Sequence, residues 1–405
     1  MEYRPHNYQA YCIQRIVEDP AVGLFLRPGL GKTSITLSAI NILRYYRWSV
    51  RKALVVAPKK VAEGTWSKEA SKWDHLQHLR VVTVLGSATK RIKALNTPAD
   101  VYVINRENIP WLVDYYKQAW PFDMVVLDES TSFKSSKSKR FKALKLVRRF
   151  MRRVVLLTGT PSSKGIEDLW AQIYLLDEGA RLGKTITQYR QMYFDCNTHG
   201  GHFTEYKAKD GAEAAVLNAI SDICISMKAE DYLELPACID HEIPVVLDDK
   251  ALKAYNQFER DLLLEVITAN TAGVLTGKLL QFCAGAIYDN DHNTVHLHDC
   301  KLDAYMELLE QLNGEHCITF YGFQHDKERI LEALAKTKLR VRVYKDTNDE
   351  DDWNAGNIDV LLVHPASCAY GLNLQAGGRH IIWFTPNWSF ELNDQGKCRL
   401  WRQGS

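Results

Sequence analysis

What most restricts the fold of this chain is a series of short, unbroken apolar runs in its amino-terminal part. They read VGLFL (22–26), ALVVA (53–57), VVTVL (81–85), VYVI (101–104), MVVLD (124–128) and VVLLT (154–158). Their β-branched residues do not alternate with polar ones, so each run suits a strand buried on both faces. Helix-compatible sequence separates most of them. The pattern predicts an α/β, doubly wound parallel sheet that binds ligands at the carboxyl ends of its strands.

From about 165 to 235 the strand signal fades and polar, helix-compatible sequence takes over. HEIPVVL (241–247) predicts a further strand, and KALKAYNQFERDLLLEVI (250–267) a helix. A second α/β pattern begins near 301. KLDAYMELLEQL (301–312) is an amphipathic helix, and CITFY (317–321), LRVRVY (339–344), DVLLVH (359–364) and HIIWF (380–384) are strands. The expected architecture is two α/β units, 1–240 and 241–405, with a helical connector. A chain of 405 residues, 46% hydrophobic and 25% charged, can build two such cores without covalent staples.

Nine cysteines include no C-x-x-C pair and no zinc-ligand spacing, which fits reduced thiols and a cytosolic setting. No charged-then-apolar leader opens the sequence, and no apolar run approaches the ~20 residues that span a bilayer. Secretion and membrane insertion are therefore not expected. A net charge of +2 exerts no global pull on a polyanion. Any nucleic-acid contact must come from a local patch, and residues 134–153 supply one. KSSKSKRFKALKLVRRFMRR holds ten Lys or Arg and no acid, with Lys137, Lys139 and Arg140 near its start. The same segment also reads as a solvated helix with Phe141, Leu144 and Val147 inward at three-residue spacing. The two readings are compatible.

VGLFLRPGLGKTSITLSAI (22–40) is a strand, a glycine turn and a helix start, the order that phosphate binding requires. Gly29 and Gly31 let backbone N–H groups approach the phosphates. Lys32 would neutralise the β- and γ-phosphates, and the Thr33 hydroxyl would hold Mg²⁺. Leu26 occupies the first glycine position of the full G-x-x-x-x-G-K-[ST] pattern. MVVLDES (124–130) then places two carboxylates at the end of a buried strand, which is costly unless they meet a metal or another partner. Asp128 would hold Mg²⁺ and Glu129 would polarise the attacking water. LLTGTPSS (156–163) adds a small-residue turn whose Thr158 and Thr160 can bond carboxylates or phosphates. Near the end of the chain, Gln395, Arg399 and Arg402 share one helix face by their spacing. They suit a grip on a γ-phosphate across a domain cleft, a role worth roughly 10³–10⁵ in rate.

In this order the motifs resemble those of the Swi/Snf-type ATPases, within the superfamily two helicase-like motors. The resemblance runs over nearly the whole chain. YRPHNYQ (3–9) looks like the adenine-reading motif, with Gln9 as the base contact. RPGLGKT is similar to motif I, LVVAPKKVAEGTW (54–66) to motif Ia, VVLDES to motif II and LLTGTP to motif III. SMKAEDYLELPACIDHEIPVVLDDKALKAY (226–255) follows the family's connector, HPASCAYGLNLQAGGRHIIWF (364–384) includes motif V, and DQGKCRLWRQG (394–404) matches motif VI. The resemblance implies two RecA-like lobes, with ATP and Mg²⁺ as ligands. It further implies a DNA track, duplex favoured, contacted by Ser367, Gly371 and Asn373 of motif V and by the basic segment 134–153.

Three departures stand out. Ser130 and Thr131 replace the usual alanine and histidine of motif II, which puts its coupling to neighbouring motifs in question. Arg27 stands where an acidic or small polar residue is common. The sequence also stops at Ser405, where the family continues, so a truncated or a minimal chain is expected. The unadorned sequence favours a bacterial or viral source and a cytoplasmic or nucleoid-associated location. The leading expectation is a DNA-stimulated ATPase that translocates on duplex DNA. A strand-separating DNA or RNA helicase and a non-hydrolysing nucleic-acid or protein-binding module are the alternatives.

Overall fold

The computed structural model describes residues 1–162, 165–199, 203–227, 238–269, 272–289, 291–368, 372 and 374–401. The chain divides into two compact units, Met1–Glu234 and Leu235–Ser405. In the first unit every apolar run becomes a strand: β1 (Ala21–Leu26), β2 (Ala53–Ala57), β3 (Val81–Val84), β4 (Val101–Asn105), β5 (Met124–Asp128) and β6 (Arg153–Thr158). Strands β2, β4 and β5 are buried at every position, as continuous apolar runs require. All pairings in this sheet are parallel, in the order β3-β4-β2-β5-β6-β1 and then a further edge strand.

Residues 165–235 depart from the sequence reading. Helices Leu169–Asp177, Ile186–Tyr193 and Ala212–Ile220 form as the composition suggests, but three strands lie among them. β7 (Phe194–His199) and β8 (Phe203–Ala208) make an antiparallel pair. Their residues are too polar for an apolar run, and the signal was the Gly200-Gly201 dipeptide between two strand-length segments. β9 (Cys224–Met227) is the seventh strand and pairs with β1. It is four residues long and fully buries only Ile225, so its pattern is weak.

In the second unit, helices Asp249–Ala269 and Ala272–Ala284 precede a short hairpin, β10 (Ala286–Tyr288) and β11 (Thr294–His296). Four parallel strands follow: β12 (Cys317–Phe320), β13 (Val341–Val343), β14 (Val360–Val363) and β15 (His380–Trp383), in the order β13-β14-β12-β15. The helix at Cys300–Gln311 and all four strands match the sequence reading. HEIPVVL does not. Residues 241–247 form no strand, and Ile243 and Val246 are 50% and 83% exposed. Pro244 removes a ladder donor in the middle of the run, and no described strand pairs with it.

One device recurs at the amino ends of both sheets. Asp100, just before β4, accepts the Arg80 N–H at 2.9 Å, and Asp359, just before β14, accepts the Arg340 N–H at 2.7 Å. Each carboxylate thus fixes the start of its strand against the neighbouring one.

Candidate active site

Strands β5, β6 and β1 are consecutive neighbours, so their carboxyl ends and the loops that follow lie side by side. In register, Asp128 stands opposite Leu157, and Thr158 opposite Phe25. The glycine loop, the acidic pair and the Thr158–Pro161 turn therefore converge on one sheet edge. This is where an open α/β sheet presents its ligand site.

Gly29 and Gly31 adopt φ of 92° and 76°, the left-handed region that a side chain disfavours. A Cβ on Gly31 would sit 2.6 Å from the Gln9 Nε2, so the loop folds directly against that amide. Gln9 accepts the His6 N–H at 3.0 Å and donates to the Leu30 carbonyl at 3.4 Å, and Tyr8 donates to the same carbonyl at 3.3 Å. The helix Lys32–Asn41 starts at Gly31 with no side-chain cap. The helix dipole at this end favours an anion. The Lys32 ammonium donates to the Leu26 carbonyl at 2.7 Å and the Arg27 carbonyl at 3.4 Å, and Thr33 begins the helix beside it.

Asp128 is 8% exposed. Its Oδ2 accepts the Trp66 indole N–H at 3.2 Å, and its Oδ1 accepts the Glu129 N–H at 3.1 Å. Burial pushes its carboxyl above the usual carboxylate range, while the Lys32 charge and the Trp66 bond pull it back. Glu129 has φ 50° and ψ 60°. A left-handed glutamate costs about 1–3 kcal/mol and persists only where its surroundings hold it. Beside the pair, a Cβ on Gly159 would approach the Pro28 Cδ to 3.0 Å, so the turn seats directly on the glycine loop. The Thr158 hydroxyl accepts the Thr160 N–H at 3.2 Å. The Thr160 hydroxyl is buried and has no hydrogen-bond partner among the described residues.

These features fit a phosphate-bound divalent cation. A buried carboxylate, a threonine at the helix start and an orphaned hydroxyl are hard oxygen donors of the kind Mg²⁺ takes. Trp66 belongs to the segment similar to motif Ia, whereas Gln172 lies in none of the motifs. The Gln172 side chain accepts the Ser130 hydroxyl at 2.7 Å and donates to the Pro161 and Asp168 carbonyls at 2.7 and 2.9 Å. A lone glutamine in an otherwise apolar helical stretch, LWAQIYLL (169–176), was the available signal.

The basic segment forms the solvated helix that one of its readings predicts. Ser138 caps the helix Lys139–Val147, which buries Phe141, Leu144 and Val147. Phe141 packs against Trp170 and Tyr174, with ring centroids 5.9 Å away in each case. Lys137 and Lys139 are exposed, whereas Arg140 is half-buried with its guanidinium 5.9 Å from the Phe133 ring. Some of the ten cations serve the fold instead. Arg148 donates to the Leu175 carbonyl at 2.5 Å and to that of Leu176, closing the helix Leu169–Asp177. Arg153 donates to the Ile16 and Asp19 carbonyls, both at 2.9 Å.

In the second unit Ser367 is half-buried, and its N–H donates to the His364 carbonyl at 2.8 Å. Gly371, Asn373 and Arg402 lie outside the described residues. Gln395 and Arg399 are 4% and 3% exposed. Arg399 turns inward and donates to the Leu372 carbonyl at 3.2 Å, while the Trp353 indole holds the Leu374 carbonyl at 2.7 Å. Both bonds hold carbonyls within motif V.

Comparison with known proteins adds a lineage to this geometry. The sequence model of the SNF2-related domain matches residues 20–286. A protein designated p41, from Acyrthosiphon pisum secondary endosymbiont phage 1, is 36% identical over 97% of this chain and 87% of its own length. The human DNA annealing helicase and endonuclease ZRANB3 is 30% identical over 56% of this chain. That match covers 21% of ZRANB3, so the chain spans about a fifth of that relative. The Hef helicase domain of Pyrococcus furiosus superposes with a TM-score of 0.52 at 15% identity, covering 98% of this chain and 94% of that one. It shares the fold of two parallel α/β units.

Proposed function

This chain belongs to the SNF2-related domain family, and from that premise we propose that it hydrolyses ATP under stimulation by duplex DNA, along which it translocates. One arrangement carries the hydrolytic part: the buried Asp128 carboxylate ends β5 and the Lys32 loop follows β1, with β6 and its Thr158–Pro161 turn between them. In this reading the Gly29–Thr33 backbone and Lys32 hold the β- and γ-phosphates, and Gln9 reads the base. Thr33 and Asp128 would hold Mg²⁺, which when bound neutralises phosphate charge. Glu129 orients a water and takes its proton as the water oxygen bonds to the γ-phosphorus and the bond to the bridging oxygen breaks.

The DNA part is supported by the exposed lysines of 134–153 and by relatives named for DNA transactions, such as ZRANB3. Phosphate contacts by Lys137, Lys139 and Arg140, and by motif V at Ser367, Gly371 and Asn373, would give sequence-independent, salt-sensitive binding. Phosphate release by purified protein, compared with Lys32→Ala and with and without duplex DNA, tests the proposal. Release that is unaffected by Lys32→Ala would defeat it.

A further inference from the structure

We propose that Gln172 is a positioning residue for Glu129, a role that rests on the hydrolytic reading above. Glu129 holds a left-handed backbone that a glutamate does not adopt unaided. Its N–H donates to the Asp128 carboxylate and its carbonyl accepts the Ser132 N–H, so the placement of the residues on either side bears on its backbone. Ser130, the next residue, is fully buried, and its hydroxyl donates to the Gln172 Oε1 at 2.7 Å. Gln172 is itself fully buried, and its Nε2 spends both hydrogens on backbone carbonyls, Pro161 at 2.7 Å and Asp168 at 2.9 Å.

One side chain therefore ties three segments together: the acidic pair through Ser130, the Thr158–Pro161 turn through Pro161, and the start of the helix Leu169–Asp177 through Asp168. The turn in turn rests on the glycine loop through Gly159 and Pro28. With both Nε2 hydrogens given to backbone carbonyls, the amide plane is held and its Oε1 is presented to the Ser130 hydroxyl from a fixed position. Ser130 departs from the family's usual alanine at the same point. The hydroxyl and the amide form a buried polar pair that replaces the coupling placed in question by the loss of the motif II alanine and histidine.

The test separates positioning from mere satisfaction of buried polarity. Gln172→Leu strands the Ser130 hydroxyl, whereas Ser130→Ala/Gln172→Leu removes that hydroxyl as well. For each variant and the wild type, the thermal midpoint, the Kd for a fluorescent ATP analogue with Mg²⁺, and kcat for ATP with saturating duplex DNA are measured. The double variant is expected to have a midpoint at or above that of the single, and a Kd within about twofold of wild type. Its kcat is expected to be lowered about tenfold or more, as misplacement of a reacting group predicts. A double variant whose kcat stays within about twofold of wild type would overturn the positioning role, since the pair would then serve only the core. Absence of any ATP hydrolysis by the wild type would instead overturn the hydrolytic reading, and this inference with it.

Discussion

The ammonium of Lys32 lies 2.7 Å from the carbonyl oxygen of Leu26, the last residue of the strand that delivers its own loop. The Arg27 carbonyl accepts from the same ammonium at 3.4 Å, and the Lys32 charge acts on the buried Asp128 carboxyl. Lys32→Ala is expected to lower ATP turnover at least about 10²-fold, because its charge acts on the transferring phosphoryl group. Circular dichroism should show the variant folded, since no core contact is lost.

Glu129→Gln separates binding from chemistry. The amide preserves the shape but cannot take a proton, so turnover should fall by about 10²–10⁴. The Kd for ATP should change little. Stopped-flow phosphate release alongside equilibrium nucleotide binding checks both, and a parallel loss of affinity would argue for a structural role.

Asp128→Asn should move stability and function in opposite directions. Burial raises the Asp128 carboxyl above its unfolded value, so between the two values the folded chain binds more protons than the unfolded one. Stability therefore falls as pH rises through that window. The amide removes this cost, so the nucleotide-free variant should melt higher than wild type above the window and show a flatter dependence of melting temperature on pH. Its Mg²⁺-dependent nucleotide binding should be lost. A variant that melts lower above the window would contradict the assignment of burial as the dominant cause.

The ten cations of 134–153 should divide into two classes under mutation. Replacing Lys137, Lys139 and Lys142 together by Gln should leave the melting temperature unchanged. The same change should weaken duplex DNA binding and reduce the slope of log K against log salt by up to about 2–3. Arg148→Ala should do the reverse, leaving the Leu175 and Leu176 carbonyls without their donor and costing about 1.5–3 kcal/mol of stability. Salt-titrated DNA binding and thermal melts on both variants decide the matter.

How much of this was legible in the sequence depended on the physical scale of each feature. Strands β1 to β6 could be read because burial on both faces writes a continuous apolar run. The glycine loop and the acidic pair could be read because phosphate and metal chemistry demand particular residues at fixed spacing. β7 and β8 pair through backbone groups, which any polar sequence can supply, and β9 is held by the neighbour it completes. HEIPVVL had the composition of a strand and no described partner strand to make it one. Trp66 and Gln172 escaped because their roles depend on which residue folds against them. Trp66 is 62 positions from Asp128, and Gln172 is 42 from Ser130. The bond from Arg399 to the Leu372 carbonyl, 27 positions away, escaped for the same reason, since the spacing from Gln395 speaks only of a shared helix face.

Stimulation of ATP hydrolysis by DNA is read from the steady-state rate of phosphate release. The rate should be measured with no nucleic acid, single-stranded DNA, duplex DNA and RNA, each at a low and a physiological salt concentration. Duplex DNA is expected to raise the rate above every other condition, with a stimulation that weakens as salt increases. A rate that is the same in all four, or that only RNA raises, would contradict DNA-stimulated hydrolysis.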